Sequence, residues 1–208
     1  MTARREERIK RRRTQIIDAA RACVRDHGFH AASISRIAAT AAMSAGHIYK
    51  YFENKEAIMT ALIEHDMDEF MLLISQVVQS ENRSIESIIE SFVTKLPSIL
   101  EGDRTILWLE IQAEAGRNPR VKEMAVRAAR RFLETIRKVI DPVLEGYTEE
   151  ELENRAEMLL ICMHGLGLQA SVHSGSGVSA LPTSVGFVFQ TVLSTAFQPV
   201  APRKVKAA

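Results

Sequence analysis

Cysteine is scarce in this chain: Cys23 and Cys162 are the only two among 208 residues. Both lie in apolar helical patterns, so they read as buried small hydrophobes and not as a disulfide framework, and a reducing, cytoplasmic compartment is expected. No stretch alternates apolar and polar residues with the period of two that a half-buried strand needs, which leaves helices throughout. The basic run Arg4 to Arg13 is not followed by the apolar core of a signal peptide, because Thr14 to Asp26 carries charge throughout; no export is implied. The six histidines show no close metal-ligand spacing. No Ser/His/Asp or Cys/His grouping has a local signature of catalysis. The expectation is therefore no metal, no cofactor and no enzyme.

Charge is missing from one long stretch, since Met158 to Pro202 contains no Asp, Glu, Lys or Arg. Gln169, Ser171, His173 and a Ser-Gly loop interrupt its apolar run before the ~20 residues that a membrane span requires. Burial between two copies of the chain is expected instead. Two helices from each copy would form a four-helix interface at Gly165, Leu168, Ala170, Val188 and Val192, with the small residues permitting close approach. Within this stretch Gly165-Leu166-Gly167-Leu168-Gln169-Ala170 matches a dinucleotide fingerprint. It fails the context test, lying in a helical pattern with no strand before it and no acidic residue after it. The acidic run Glu149 to Glu153 follows Thr148 as a capping box and marks a helix start, not a pair of catalytic carboxylates.

What is present is ordinary globular composition, 46% hydrophobic and 25% charged. The net charge of +1 hides a polarity: residues 1–60 hold 12 Lys and Arg against 6 Asp and Glu, and the remainder holds 15 against 20. Only the basic N-terminal third is suited to a polyanion. The run Arg4 to Arg13 then reads either as a solvated tail or as an arm that touches phosphate or enters a minor groove.

Helical spacing of Ile16, Ile17, Ala20, Cys23 and Val24 predicts a first helix over Thr14 to His27, stopped by Gly28, with Phe29 plugging a small core. Ser33 caps a second helix to about Ala42, with Ile34, Ile37, Ala38 and Ala41 inward and Ser35 and Arg36 outward. Met43 and Ser44 form a tight connection to a third helix over Ala45 to Phe52. Two short helices joined this closely make a helix-turn-helix, whose second helix enters the major groove by its N-terminal end. The residues expected at DNA are Ser33, Ser35, Arg36, Ser44, Ala45, Gly46, His47, Tyr49, Lys50, Tyr51 and Lys55, while Ile48 and Phe52 pack inward.

The segment resembles the TetR family of bacterial transcriptional regulators. The resemblance is carried by Ile17-Asp18-Ala19-Ala20, Gly28-Phe29, Ile37-Ala38, Met43-Ser44 and the run from Ile48-Tyr49-Lys50-Tyr51-Phe52 through Lys55-Glu56-Ala57-Ile58, covering about residues 14 to 60. It implies DNA contacts from Tyr49 and Lys50 and backbone contacts from Tyr51 and Lys55. Ala42, Ala45 and His47 depart from the residues frequent in the family, at the edge that chooses the operator. The resemblance also implies an effector pocket in the second domain and dimerisation by the last two helices.

Asn54 caps a fourth helix over Lys55 to Val78 with no Gly or Pro to break it. Further helices are expected over Ser84 to Leu100 (with Pro97 as a kink or end), Asp103 to Gly116, Pro119 to Ile140, Glu149 to Val172 and Pro182 to Phe197. Phe70, Phe92, Leu96, Trp108, Gln112, Met124 and Met163, with Phe132, are candidates for an effector cavity lined by aromatics and methionines. Glu110 and Glu114, four residues apart, would favour a cationic ligand if they face inward, or pair with Arg117 on the surface.

The expected fold is all-α: a helix-turn-helix DNA-binding domain with a basic N-terminal arm over residues 1–54, and a helical effector-binding and dimerisation domain over 55–208. The expected function is a repressor that binds palindromic operator DNA as a homodimer and is released by a small apolar or cationic effector. A DNA-binding regulator whose second domain binds a metal or a protein is the alternative, and a helical enzyme the distant one.

Overall fold

The protein is described from a computed structural model, which covers residues 2–78, 84–100, 103–141, 144, 146–173 and 183–198. All regular structure among these residues is helical. In chain order the helices are α1 (Thr2–Ala31), α2 (Ile34–Thr40), α3 (Ala45–Ile48), α4 (Lys55–Val78), α5 (Ile85–Leu100), α6 (Asp103–Ala115), α7 (Pro119–Ile140), α8 (Glu149–His173) and α9 (Thr183–Ala196). No helix among the described residues is long and apolar enough to cross a membrane.

The helix boundaries follow local chemistry. Asn54 caps α4 through a hydrogen bond from the Ala57 N–H to its Oδ1 at 2.8 Å. Thr148 and Glu151 form a reciprocal capping box at α8: the Glu151 N–H donates to the Thr148 Oγ1 and the Thr148 N–H to the Glu151 carboxylate. Pro97 does not end α5, whose span continues to Leu100.

The largest departure from expectation is at the N-terminus. The basic run is not a separate arm; it is the first half of α1, which is helical from Thr2. Arg, Lys and Glu are good helix formers and no Gly or Pro intervenes, so nothing stops propagation outward from the packed turns. The interruption sits at the other end. Gly28 adopts φ 81°, ψ 161°, a region open essentially to glycine alone, and turns the chain out of the helix there.

The chain divides into two compact units, Met1–Glu69 with Gly102–Ala128, and Phe70–Glu101 with Ala129–Ala208. This differs from the expected division after residue 54. The first part of α4, all of α6 and the start of α7 complete the core around α1, α2 and α3, because three short helices alone bury too little surface. In the first unit Ile16, Ala20, Val24, Ile37, Ile48, Ile58 and Leu62 are fully buried together with Leu107 and Ile111. Charge fastens the same elements. Arg21 of α1 meets Asp66 and Glu69 of α4 at 3.6 and 2.9 Å, and Arg104 of α6 meets both carboxylates at 3.6 Å. Burial pushes the Asp66 carboxyl above the usual carboxylate range, with the two arginines opposing it.

In the second unit α5, α7, α8 and α9 enclose Phe92, Leu96, Phe132, Ile136, Leu159, Phe189 and Phe197. Phe92 and Phe189 meet edge to face, and Phe70 and Phe132 stack at 5.8 Å. Arg155 lies over the Tyr147 ring and donates to the carbonyl oxygens of Thr195 and Ala196, closing the end of α9.

Candidate nucleic-acid interface

The recognition segment is built by two caps and one turn. Ser33 caps α2, accepting from the Arg36 N–H, and Ser44 caps α3, accepting from the His47 N–H at 3.2 Å. Between them α2 closes in a paired C-terminal turn, in which the Met43 N–H donates to the Ala38 carbonyl and the Ala42 N–H to the Ala39 carbonyl. Ala42 carries the left-handed backbone that this turn demands, with φ 52°. Glycine would adopt it freely, so alanine here stores strain.

The third helix is shorter than expected. It ends at Ile48, and Tyr49 to Tyr51 continue as tightened turns in which the Lys50 N–H donates to His47 and the Tyr51 N–H to Ile48. Such three-residue closure satisfies the last orphan carbonyls while the chain turns toward the cap of α4 at Asn54. Ile48 and Phe52 are buried as expected.

The eleven residues expected at DNA fall into two groups. Ser33, Ser35, Arg36, Ser44, Gly46, Tyr49 and Lys50 are exposed, Tyr49 at 56%, and a Cβ added at Gly46 would meet nothing within 4 Å. Ala45 and Tyr51 pack against the core instead. The Tyr51 hydroxyl lies 3.3 Å from His47 Nε2 and the two rings are 5.4 Å apart, so Tyr51 holds His47 in place from behind.

Lys55 is also turned to the scaffold. Its Nζ donates to the carbonyl oxygens of Phe29 and His30 at 3.0 and 2.9 Å, and burial holds its ammonium below the ordinary lysine range. Glu110 completes the arrangement from the other side, accepting the Phe29 N–H on Oε2 at 2.9 Å. The Gly28-Phe29 turn is thus gripped by a cation at its carbonyls and a carboxylate at its N–H. Sequence reasoning missed this pairing, since the partners lie 26 and 81 residues away.

Both glutamates are engaged by partners of the first unit. Glu110 is spent on Phe29, and Glu114 pairs with Arg117 at 3.0 Å. Burial works to raise the Glu114 carboxyl, but hydrogen bonds from Arg117 and Asn118 hold it below the usual range. The expected effector residues do not gather into one cluster. Phe70, Phe92, Leu96 and Met163 belong to the second unit with Phe132, whereas Trp108, Gln112 and Met124 belong to the first. Met124 is buried in the first core and accepts a hydrogen bond from the Thr60 hydroxyl, and Gln112 is exposed.

The expected interface residues of α8 and α9 also divide. Gly165, Leu168 and Val188 are exposed, Val192 is half-buried, and Ala170 is buried within its own unit. Ile161, Leu168 and Val172, with Gly165, recur on one side of α8, and Phe187 of α9 is 70% exposed. Periodicity does not single out Ile161, Val172 and Phe187, because it identifies an apolar face without saying which of two apolar faces is covered. Among the described residues no group of three or more His, Cys, Asp or Glu could hold a metal.

Two family models match the chain. Residues 16–62 match the bacterial regulatory proteins of the tetR family, and residues 87–180 match the C-terminal part of BetI-type transcriptional repressors. Together they span more than half of the chain. The chain belongs to the TetR family. This is a family of transcriptional regulators and not of enzymes. Among curated TetR relatives, the HTH-type transcriptional regulator UidR of Escherichia coli K12 is 34% identical over 112 residues, which are 54% of this chain and 56% of that protein. The fatty acid metabolism regulator protein of Bacillus subtilis is 33% identical over 92 residues, 44% of this chain and 47% of that one. The chain thus spans about half the length of the curated relatives it matches.

Solved TetR-fold structures match more fully but at lower identity, and show the fold alone. Salmonella enterica GusR superposes with a TM-score of 0.72 at 23% identity, over 89% of this chain and 95% of that one. Bacillus subtilis FadR, determined in complex with stearoyl-CoA, superposes with a TM-score of 0.69 at 19% identity, over 90% and 99%.

Proposed function

We propose that this TetR-family chain is a cytoplasmic homodimeric repressor that holds palindromic operator DNA until a small apolar molecule enters its second unit. The observation that carries the reading is the exposed set on α2 and α3. Ser33, Ser35 and Arg36 at one helix start, and Ser44, Gly46, Tyr49 and Lys50 at the next, offer hydroxyl, guanidinium, ammonium and backbone donors on an otherwise packed unit. His47, steadied by Tyr51, sits at the leading edge and takes part in choosing bases. Lys55 acts on the turn behind the recognition segment and reaches DNA only through that scaffold.

Dimerisation is assigned to α8 and α9, supported by the charge-free stretch and by the exposed Ile161, Leu168, Val172, Phe187 and Val188. Two recognition helices must reach half-sites about 34 to 36 Å apart, which a dimer supplies. The effector is assigned to the second unit, whose interior is aromatic and aliphatic around Phe92, Leu96, Phe132 and Met163. The likeness to a FadR solved with stearoyl-CoA favours acyl compounds within the apolar class. The cationic class loses its support at Glu110 and Glu114, both engaged elsewhere. The unbroken α4, with residues in both units, is the route by which occupancy would reach the recognition segment. A coupling of about 1 to 3 kcal/mol, roughly 5- to 150-fold in affinity, is the size to expect.

The test is selection of bound duplexes from a random pool by the full chain, followed by release with a panel of acyl compounds, hydrophobic cations and metals. A palindrome bound by the wild type, lost in Tyr49→Ala/Lys50→Ala with the dimer intact by scattering, and released by an acyl compound is the expected result. Retention of no sequence at all, or a monomer in solution, would overturn the reading.

A further inference from the structure

His47 is held at both its backbone and its ring. Its N–H donates to the capping Ser44 Oγ at 3.2 Å, and its Nε2 lies 3.3 Å from the Tyr51 hydroxyl, with the two rings 5.4 Å apart and tilted by 41°. Tyr51 is itself a fixed post. It packs against the core of the first unit, its N–H donates to the Ile48 carbonyl at 2.8 Å, and its own carbonyl accepts from Arg13 Nη1 at 2.6 Å. The half-buried imidazole so held has the exposed Gly46, Tyr49 and Lys50 close to it in the chain.

The contact at Nε2 decides what the other ring nitrogen can do. A neutral imidazole carries one proton, so the nitrogen that lacks it is an acceptor and the other a donor. A phenol is a better donor than an imidazole N–H, and an imidazole nitrogen is a better acceptor than a phenol oxygen. The stronger bond therefore runs from the Tyr51 hydroxyl to Nε2, which puts the proton of His47 on Nδ1. Among the described residues no partner takes Nδ1, and none but His47 takes the Tyr51 hydroxyl.

We propose that Tyr51 is a positioning residue that fixes His47 in the Nδ1–H tautomer, so that Nδ1 meets a base edge as a hydrogen-bond donor. The inference rests on the reading of the helix-turn-helix as the operator-binding element, and names what one of its side chains reads. In the major groove guanine offers two acceptors, N7 and O6, whereas cytosine offers only its N4 amino donor. His47 thus selects guanine and rejects cytosine at one position of each half-site. With its proton on Nε2 the same ring would be an acceptor there and would favour cytosine. Tyr51 makes no backbone contact in this arrangement, because a hydroxyl that donates to Nε2 keeps only lone pairs, which a phosphate oxygen cannot use. Both rings are in place before DNA arrives, so little ordering is needed on binding.

The test has two arms, both on the full chain. In the free protein the ring nitrogen chemical shifts of His47, assigned by their loss in His47→Ala, are recorded above the pH range in which histidine titrates. The wild type should carry the proton on Nδ1, and Tyr51→Phe, which keeps a ring against the core, should lose that preference. In the second arm wild type, Tyr51→Phe and His47→Ala each select duplexes from a random pool. The wild-type half-site should hold one position where guanine is favoured over cytosine and where His47→Ala loses the preference. Tyr51→Phe should keep the rest of the half-site and lower the guanine-to-cytosine ratio at that position by about 2- to 12-fold, the worth of one hydrogen bond. A wild-type proton on Nε2 would overturn the proposal, and that measurement needs no variant to fold. So would cytosine at the His47-dependent position, or an unchanged ratio in Tyr51→Phe. A Tyr51→Phe chain that binds every duplex more weakly by one factor overturns it too, and returns Tyr51 to the phosphate backbone. A wild-type chain that retains no duplex would instead overturn the operator-binding reading beneath it.

Discussion

Gly28→Ala tests the joint on which the recognition unit is assembled. The native backbone at Gly28, φ 81° and ψ 161°, is one in which an L side chain costs about 1 to 3 kcal/mol. A Cβ placed there would lie 3.1 Å from Oε2 of Glu110, the same oxygen that accepts the Phe29 N–H. The carboxylate can yield by a few tenths of an ångström, but only by lengthening a charge-assisted bond whose full loss costs about 1.5 to 3 kcal/mol. The expected destabilisation is therefore about 2 to 4 kcal/mol, with the backbone the larger part.

Trp108 is the chain's single tryptophan and packs against the first unit's core, so its fluorescence during denaturant unfolding reports on the unit in question. Glu110→Ala alone should cost about 1.5 to 3 kcal/mol, and the double variant should cost less than the sum of the two, because both act on one hydrogen bond. A Gly28→Ala protein within about 0.5 kcal/mol of wild type would refute the reasoning. Strict additivity in the double variant would keep the backbone argument and refute the shared bond.

Other outcomes follow from the same geometry. Ala42→Gly relieves a left-handed alanine worth about 1 to 2 kcal/mol and gives back about 0.4 to 1 kcal/mol in unfolded-chain entropy. A net gain of roughly 0.5 kcal/mol is expected in the same unfolding assay, and any clear loss contradicts the assigned turn. Lys55→Met keeps the stem over Phe29 but removes two hydrogen bonds to carbonyls. It should lower stability by about 1.5 to 3 kcal/mol while leaving the salt slope of DNA binding unchanged, and a shallower slope would return Lys55 to the phosphate backbone. His164 is pushed below the usual histidine value of 6.5 by burial, so the folded chain resists a proton that the unfolded chain accepts. Stability should be full above about pH 6.5 and fall as the pH drops below it. His164→Gln should flatten that part of the profile, and an unchanged profile counts against a buried neutral imidazole.

Much of the fold is legible in residue order alone because its determinants are local. The spacing of Ile16, Ala20 and Val24, the caps at Ser33, Ser44, Asn54 and Thr148, and the absence of any period-two run are interactions within a few residues, and each specifies its own helix wherever the chain goes. The Met43-Ser44 connection and the inward Ile48 and Phe52 are of the same kind. Other features were misjudged for an equally physical reason. The run Arg4 to Arg13 has no apolar periodicity, so only its continuity with the packed turns of α1 makes it a rod. Trp108 and Met124 read from the sequence only as large side chains, and packing is what places Met124 in the core of the first unit and Trp108 against it.

Lys55 and Glu110 show where local reasoning ends. Each is a charged residue on a helix, and its neighbours in sequence say nothing about whether it meets a phosphate, a ligand or solvent. Only the fold brings both to the Gly28-Phe29 turn, where unpaired backbone groups need a cation and an anion. Residue order determined the helices, the helix-turn-helix segment and the charge-free stretch from Met158 to Pro202. Tertiary structure decided the partners of the long-range charges, because the free energy of a charge is set by what surrounds it in space and not by what adjoins it in the chain.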